Sequence, residues 1–220
     1  MHAEDQSGIG TVSGPHVVPA SSSHVNGIVE VHLNAFEGFF LQSMGERFLK
    51  ELYRGFMVEP SGICLAAIDE NKVVGFVAGT TEPQKFFRRL LRKRWPAFVF
   101  SGAAALARHP LRVGMKFLSA LFYRGESPPD LPNATLLSSI GVAPGGKGKG
   151  IGKLLMSAFC AEAEACGAST VFLATDRDGN DAVNQFYLSN GFTLHSTYLK
   201  GKSRQMNLYT RSLPGSLQVN

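Results

Sequence analysis

The stretch Ser138–Met156, SSIGVAPGGKGKGIGKLLM, decides the fold. Its first residues complete an apolar run from Leu136 to Val142, which predicts a strand. Pro144, Gly145 and Gly146 end that run. From Gly150 onward the apolar positions are Ile151, Leu154, Leu155, Ala158 and Phe159. This is the i, i+3, i+4, i+7, i+8 spacing of a helix with one buried face. Strand, glycine loop and helix in succession form a phosphate-binding arrangement. The helix N-terminus offers unpaired N–H groups and about half a positive charge, and glycines let a phosphate approach them.

Two common phosphate loops do not fit. A Walker A loop needs G-x-x-x-x-G-K-[ST], but Lys153 is followed by Leu154, and Lys147 stands where the first glycine belongs. A dinucleotide G-x-G-x-x-G fails because Gly148 and Gly150 are followed by Lys153. The pattern that fits is [QR]-x-x-G-x-G, with Lys147 in the Gln/Arg place, then Gly150 and Gly152. With Val142, Ala143 and Pro144 upstream, it resembles the acetyl-coenzyme A loop of the GNAT superfamily of N-acetyltransferases. A second motif agrees. Asn180-Asp-Ala-Val-Asn-Gln-Phe-Tyr187-Leu-Ser-Asn-Gly191-Phe192 resembles the GNAT pattern N-x-x-A-x-x-x-Y-x-x-x-G-F, with Val183 where alanine is usual.

The order of elements matches that family as well. His16–Pro19 reads as a short strand. Two helical stripes follow, Val25 to Phe36 and Phe48 to Phe56, the first preceded by capping serines at Ser21 to Ser23. Ile63–Ile68 and Val73–Gly79 read as a hairpin. Thr170–Thr175 predicts a strand, Ala182–Ser189 a short helix capped by Gly191, and Phe192–Leu199 with Arg204–Thr210 a closing hairpin. The resemblance implies an α/β, GNAT-like mixed and mostly antiparallel central sheet flanked by helices. A single domain is expected over 15–210, with a basic helical insertion over 83–131 between strands 3 and 4. Residues 1–14 and 211–220 are expected to be loose tails.

Composition sets the outer limits. The hydrophobic share is 44%, which suits a globular core; a chain of this size buries about 70% of the surface its unfolded form exposes. Cys64, Cys160 and Cys166 form no paired framework, and no Cys/His cluster has zinc spacing, so reduced thiols and no metal are expected. No charged region followed by an apolar one opens the sequence, so no secretory signal is expected and the expected location is cytoplasmic. The net charge is +5. Ten Lys/Arg and no Asp/Glu lie between Lys85 and Arg124, leaving 12 basic and 17 acidic residues elsewhere. The positive charge is therefore a property of the insertion.

Acyl transfer assigns the remaining expectations. The resemblance implies that acetyl-CoA is the cosubstrate, that the strand around Ile140 and Val142 pairs with its pantetheine arm, and that a splay beside the next strand admits it. Backbone N–H groups of Lys147, Gly148, Lys149, Gly150, Ile151 and Gly152 would take the pyrophosphate, and one near Ile140 to Val142 would polarise the thioester carbonyl. Tyr187 matches the family's general acid. Asn180 would bind the cofactor or brace its helix, with Asn184 the alternative. Lys149 and Lys153 either touch phosphate or are solvated. For the base, Glu82, Glu37 and His32 are candidates, and Ser138 or Ser139 could orient a water. The acceptor is a primary amine of a small molecule, amino sugars included, or of a peptide. The basic segment 85–124 either lies on an anionic membrane surface at the inner face, binds an acidic substrate group, or is a solvated helical hairpin or homodimer contact. The competing classes are a non-catalytic CoA-binding module and a basic nucleic-acid-binding protein. For the latter, no RNA-binding motif or zinc finger accompanies the charge.

Overall fold

The apolar runs condense into one seven-stranded sheet. In a computed structural model describing residues 14–36, 44–94, 130–131, 133–201 and 203–214, the strands are β1 (His16–Pro19), β2 (Gly62–Asp69), β3 (Lys72–Thr80), β4 (Ala134–Val142), β5 (Thr170–Asp176), β6 (Thr193–Lys200) and β7 (Arg204–Ser212). Their spatial order is β1-β2-β3-β4-β5-β7-β6. Only β4 and β5 pair in parallel; the other neighbours are antiparallel. The helices are α1 (Val25–Ala35), α2 (Glu46–Val58), α3 (residues 83–94), α4 (Ile151–Ala165) and α5 (Asp181–Ser189).

Alternation in β2 shows how the sheet is covered. Cys64, Ala66 and Ile68 join a core with α1 and α2, while Ile63, Leu65 and Ala67 join a core with α4 and α5. Helices therefore cover both faces, and period-2 residues serve each. The β2–β3 turn places Glu70 and Asn71 at φ 46° and 61°. Positive φ at both central residues gives the turn the twist of the flanking strands.

The predicted helical stripes hold with one exchange. In α2, Phe48, Leu49, Leu52, Tyr53 and Phe56 are all buried. In α4, Leu154 points outward at 39% exposure, and Met156 and Cys160 complete the buried face instead. The C-terminal tail begins later than expected. β7 runs through Arg211 to Ser212, and Leu213 is buried with its N–H bonded to the Ser169 carbonyl at 2.9 Å. That apolar side chain fills the end of the α4-side core, so residues 211–213 belong to the domain.

α3 opens the expected insertion. Phe86 and Leu90 are buried, and Phe86 stacks on Phe56 of α2 with ring centroids 4.6 Å apart. Much of its charge is internally paired. Arg89 binds Glu82 at 2.7 Å, Lys93 binds Glu59 at 2.7 Å, and Arg94 binds Glu51 at 2.7 Å. With Lys85, which also binds Glu82, four of the six basic side chains of α3 are paired, and those of Arg89, Lys93 and Arg94 fasten it to α2 and to Glu82 just after β3. The rest of the insertion, residues 95–129, lies outside the described residues, as do 1–13 and 215–220. Among the described residues no helix is long and apolar enough to cross a membrane.

Candidate active site

The site begins where the sheet comes apart. β4 pairs with β5 only over Ala134–Leu136, opposite Thr170–Phe172. Beyond that point β4 keeps only β3, and β5 keeps only β7 through Asp176. The β3–β4 register explains the divergence. Gly79 faces Leu137 and Ala78 faces Ser139, so Ser138 is an extra residue. A bulge adds local bend and twist to its strand. It sits two residues beyond Leu136, where the β4–β5 ladder ends.

The register also shows which backbone groups enter the gap. The Ala143 N–H donates to the Val74 carbonyl at 2.9 Å, so Ala143 points toward β3. In an antiparallel ladder the backbone polar groups alternate in direction. Gly141 therefore points toward β3, and the N–H groups of Ile140 and Val142 point into the gap. These two positions coincide with the expected pantetheine contacts.

The gap leads to the glycine loop. A 3-10 turn at Pro144–Gly146 closes β4, and Gly148 and Gly150 adopt φ of 78° and 77°. This left-handed conformation costs other residues roughly 1–2 kcal/mol, which is why glycine occupies both places. The first helical bond of α4 runs from the Leu154 N–H to the Gly150 carbonyl at 3.0 Å. The N–H groups of Ile151, Gly152 and Lys153 thus lie ahead of the helical ladder and are open to an anion. Within the loop, Lys147 and Lys149 donate their N–H groups to Pro144 and Gly146 at 3.4 and 3.3 Å. These two were expected as phosphate donors, but the turn already uses them. Gly148 and Gly150 donate no such bond, so the open donors are these two and the N–H groups at the start of α4.

α5 packs directly beside this cradle. A Cβ at Gly152 would stand 3.2 Å from the Phe186 ring. The next residue, Tyr187, is buried at 7% exposure among Phe186, Phe192 and Tyr209, with ring centroids 5.5–5.9 Å away. Burial pushes its hydroxyl well above the usual tyrosine value. Among the described residues the hydroxyl has no hydrogen-bond partner in the protein.

Both asparagines of the second motif brace α5. Asn180 Nδ2 donates to Thr175 Oγ1 at 2.9 Å and to the Asp176 carbonyl at 3.1 Å. Asn184 Nδ2 donates to the carbonyls of Asp176 and Asn180, while its Oδ1 accepts from Asn207 and from the Tyr209 hydroxyl. An amide so engaged has no group left for a ligand, which corrects the expectation of Asn184 as a cofactor contact. For Asn180 the bracing alternative is the one observed. Asn207, Tyr209 and the Arg204–Asp176 ion pair complete this support. No motif marks Arg204, Asn207 or Tyr209, because they come from β7 and meet α5 only through the β5–β7 pairing.

The base candidates separate by environment. Glu82 is paired with Arg89 and Lys85, and hydrogen bonding to those cations holds its carboxyl below the usual range. A carboxylate so stabilised binds a proton poorly. His32 is buried at 2% exposure, and desolvation lowers its pKa to about 4. Its Nδ1 hydrogen-bonds the Tyr53 hydroxyl at 2.6 Å, and its Nε2 has no partner among the described residues. Ser138 is exposed in the bulge and Ser139 is half-buried. Glu37 lies outside the described residues.

His32 makes a stability prediction with a definite sign. Its folded pKa, about 4, lies below the ordinary 6.5. Between these values the unfolded chain binds a proton that the folded chain refuses, so stability falls as pH drops from about 6.5 to 4. The full shift corresponds to about 3 kcal/mol. Denaturant midpoints should fall across that window. His32→Gln should flatten the slope, and an unchanged slope in that variant would assign the acid loss to other groups.

Comparison with known proteins now has a geometry to meet. Residues 117–192 match the family described as the acetyltransferase (GNAT) family. This segment contains β4, the glycine loop, α4, β5 and α5 with Tyr187. The part of the chain that holds the candidate site is thus similar to the GNAT acetyltransferases. Solved structures share its fold over most of their length. The ribosomal-protein-S18-alanine N-acetyltransferase from Escherichia coli is 12% identical, with a TM-score of 0.56, covering 91% of this chain and 94% of its own. An N-acetyltransferase from Thermoplasma acidophilum, solved in complex with coenzyme A, is 14% identical with a TM-score of 0.56, covering 90% and 99%. A chimeric spermidine N-acetyltransferase from Vibrio cholerae is 12% identical with a TM-score of 0.59, covering 94% and 100%. No curated protein matches by sequence. Together these relations identify the sheet as the GNAT fold, mixed and mostly antiparallel with helices on both faces.

Proposed function

We propose that this GNAT-fold protein is an acetyl-CoA-dependent N-acetyltransferase that transfers acetyl directly to a primary amine. The observation that carries the reading is the alignment of three features along one path. The gap-facing N–H groups of Ile140 and Val142 lead to the open donors of Ile151, Gly152 and Lys153, and α5 with Tyr187 packs against the same turn. This set fits a long thioester ending in a pyrophosphate.

Bound acetyl-CoA supplies an activated acetyl thioester. The α4 N-terminus holds the pyrophosphate through N–H groups and the positive end of the helix dipole. The Ile140 and Val142 N–H groups hold the pantetheine amides and the thioester carbonyl, and they stabilise charge developing on that oxygen. Tyr187 gives its proton to the departing sulfur. Its raised pKa keeps that proton in place throughout the useful pH range. Desolvation also raises the proton affinity of a nearby thiolate, so burial does not by itself oppose the transfer. No enzyme nucleophile is required, because the amine attacks.

Calorimetry with acetyl-CoA, followed by a thiol-release assay over amines, tests this reading. Spermidine and a peptide beginning with alanine belong in the panel, since structural neighbours are described as acting on such acceptors. Absence of acetyl-CoA binding refutes the proposal. Binding without thiol release from any amine would favour a CoA-binding module. Gly150→Val should weaken acetyl-CoA binding about tenfold, because a β-branched residue resists the 77° φ that sets the start of α4.

A further inference from the structure

The outward face of α3 carries charge that acetyl transfer does not use. Lys85, Arg88, Arg89 and Arg92 stand at i, i+3, i+4 and i+7, so they share one face of the helix. The opposite face is fixed to α2, where Phe86 stacks on Phe56 and the buried Leu90 lies over Gly55. A cavity of about 230 Å³ opens on the cationic face, and among the described residues these four side chains line it.

The four are compensated unevenly. Arg89 is held from three sides: its Nη2 donates to Ser61 Oγ at 2.6 Å and to Glu82 at 2.7 Å, and its Nε lies 3.5 Å from the Glu59 carboxylate. Its Nη1 has no partner among the described residues, which leaves a donor group already oriented. Lys85 meets Glu82 at 3.2 Å in an exposed pair, which holds it weakly. Arg88 and Arg92 are exposed and make no ion pair or hydrogen bond among the described residues. Four cations thus share two carboxylates, Glu82 and Glu59, and Lys93 also draws on Glu59. Like charges three and four residues apart destabilise a helix. Here Lys85 stands so to Arg88 and Arg89, and Arg92 to the same two. A bound anion converts that repulsion into attraction.

Size and charge select the anion. The cavity is smaller than the roughly 300–1,000 Å³ of sites that enclose a drug-sized ligand, so it takes a headgroup whose remaining atoms stay outside. A phosphate group carries a charge of about −1.5 to −2 at pH 7 and three acceptor oxygens. Several guanidinium groups can donate to it together, and the arginine fork matches its geometry. A carboxylate, with one charge and two oxygens, leaves more of this face uncompensated. Because Phe86 and Leu90 are buried against α2, the contact is made by charge and hydrogen bonds and not by insertion of an apolar face.

We propose that the outward face of α3 is a phosphate site, in which Arg88, Arg92 and Lys85 bind a phosphate group oriented by the anchored Arg89. The site is separate from the α4 cradle and does not depend on the acetyltransferase reading. A soluble phosphomonoester and a lipid headgroup both present this chemistry, and the test separates them.

Calorimetry with inorganic phosphate, at one low ionic strength, compares the wild-type full chain with the double variant Arg88→Gln/Arg92→Gln. Both side chains are exposed, so the fold should be kept, as the denaturant midpoint would show. Phosphate taken by the α4 cradle appears equally in both proteins, and the difference reports α3. The double variant should bind about tenfold more weakly, the scale of one lost charge-assisted hydrogen bond. Lys72→Gln, which removes an exposed charge at the other end of β3, should change nothing. Flotation with phosphatidylcholine vesicles containing phosphatidic acid runs alongside. Vesicle binding that is lost in the double variant supports the site and assigns it a lipid phosphate. Loss of phosphate affinity with no vesicle binding by the wild type supports the site and assigns it a soluble ligand. If the double variant loses neither, the proposal is overturned. An equal loss in Lys72→Gln overturns it in favour of general charge attraction, and acetate bound as tightly as phosphate overturns the choice of group.

Discussion

Tyr187→Phe is expected to lower kcat by about a thousandfold while leaving acetyl-CoA affinity and folding intact. General acid catalysis contributes roughly 10²–10⁴, and this substitution removes only the hydroxyl. The ring sits among Phe186, Phe192 and Tyr209 and packs equally well as phenylalanine. Because the hydroxyl has no protein partner among the described residues, its loss strands no buried donor or acceptor. The stability change should therefore stay below about 1 kcal/mol. A combined readout separates catalysis from structure: thiol release in a steady-state assay, and the denaturant midpoint of the same sample. A variant with near-normal kcat would reduce Tyr187 to a core residue. The pH profile adds a second check, since burial keeps the hydroxyl protonated beyond pH 10, so loss of Tyr187's proton should not produce an alkaline decline below that point.

Gly79→Val should be the most damaging single change to stability. A Cβ at Gly79 would lie 2.2 Å from the Leu136 carbonyl oxygen and 2.4 Å from the Phe159 ring. The first contact is with backbone in the neighbouring strand and cannot be relieved by a rotamer change. The second drives into a phenylalanine buried at 0% exposure. Overpacking of cores costs typically 1–3 kcal/mol; here a strand must move as well, so a loss of about 3 kcal/mol or more is expected. Gly79 also faces Leu137 at the Ser138 bulge. A variant rescued by stabilising conditions should thus retain poor acetyl-CoA binding, because the strand that opens the gap has been displaced. Chemical denaturation and calorimetry on one preparation would show both effects. A Gly79→Val protein with wild-type midpoint and affinity would contradict the packing described above.

These two residues also show what the sequence discloses. Tyr187 could be read directly, because its place in a local motif is fixed by helix spacing. Gly79 looked like an ordinary strand end. Its importance comes from Leu136 and Phe159, respectively 57 and 80 residues further along the chain. The glycine loop was legible for the same reason as Tyr187, since φ near +77° needs glycine at fixed intervals. The bulge at Ser138 had no local signature, because it is a mismatch between two strands separated by the insertion. The saturation of Asn184 was hidden because its partners arrive from β7. His32 was visible as a titratable residue on a helical stripe. Its low proton affinity follows from burial, which only the packing of α1 on α2 and β3 determines.

One detail of α4 gives the chain a convenient reporter. Cys64 and Cys160 are buried, and burial pushes the Cys64 thiol up to about 12. Cys166, at the C-terminal cap of α4, is exposed. A maleimide dye should therefore attach at one site under native conditions, even though partial burial holds the Cys166 thiol somewhat above its ordinary value. With a rise of 1.5 Å per residue, the helix sets that dye about 22 Å from the α4 N-terminus. Energy transfer to a fluorescent coenzyme analogue would then measure occupancy of the cradle along a rigid rod, without altering any residue of the cleft.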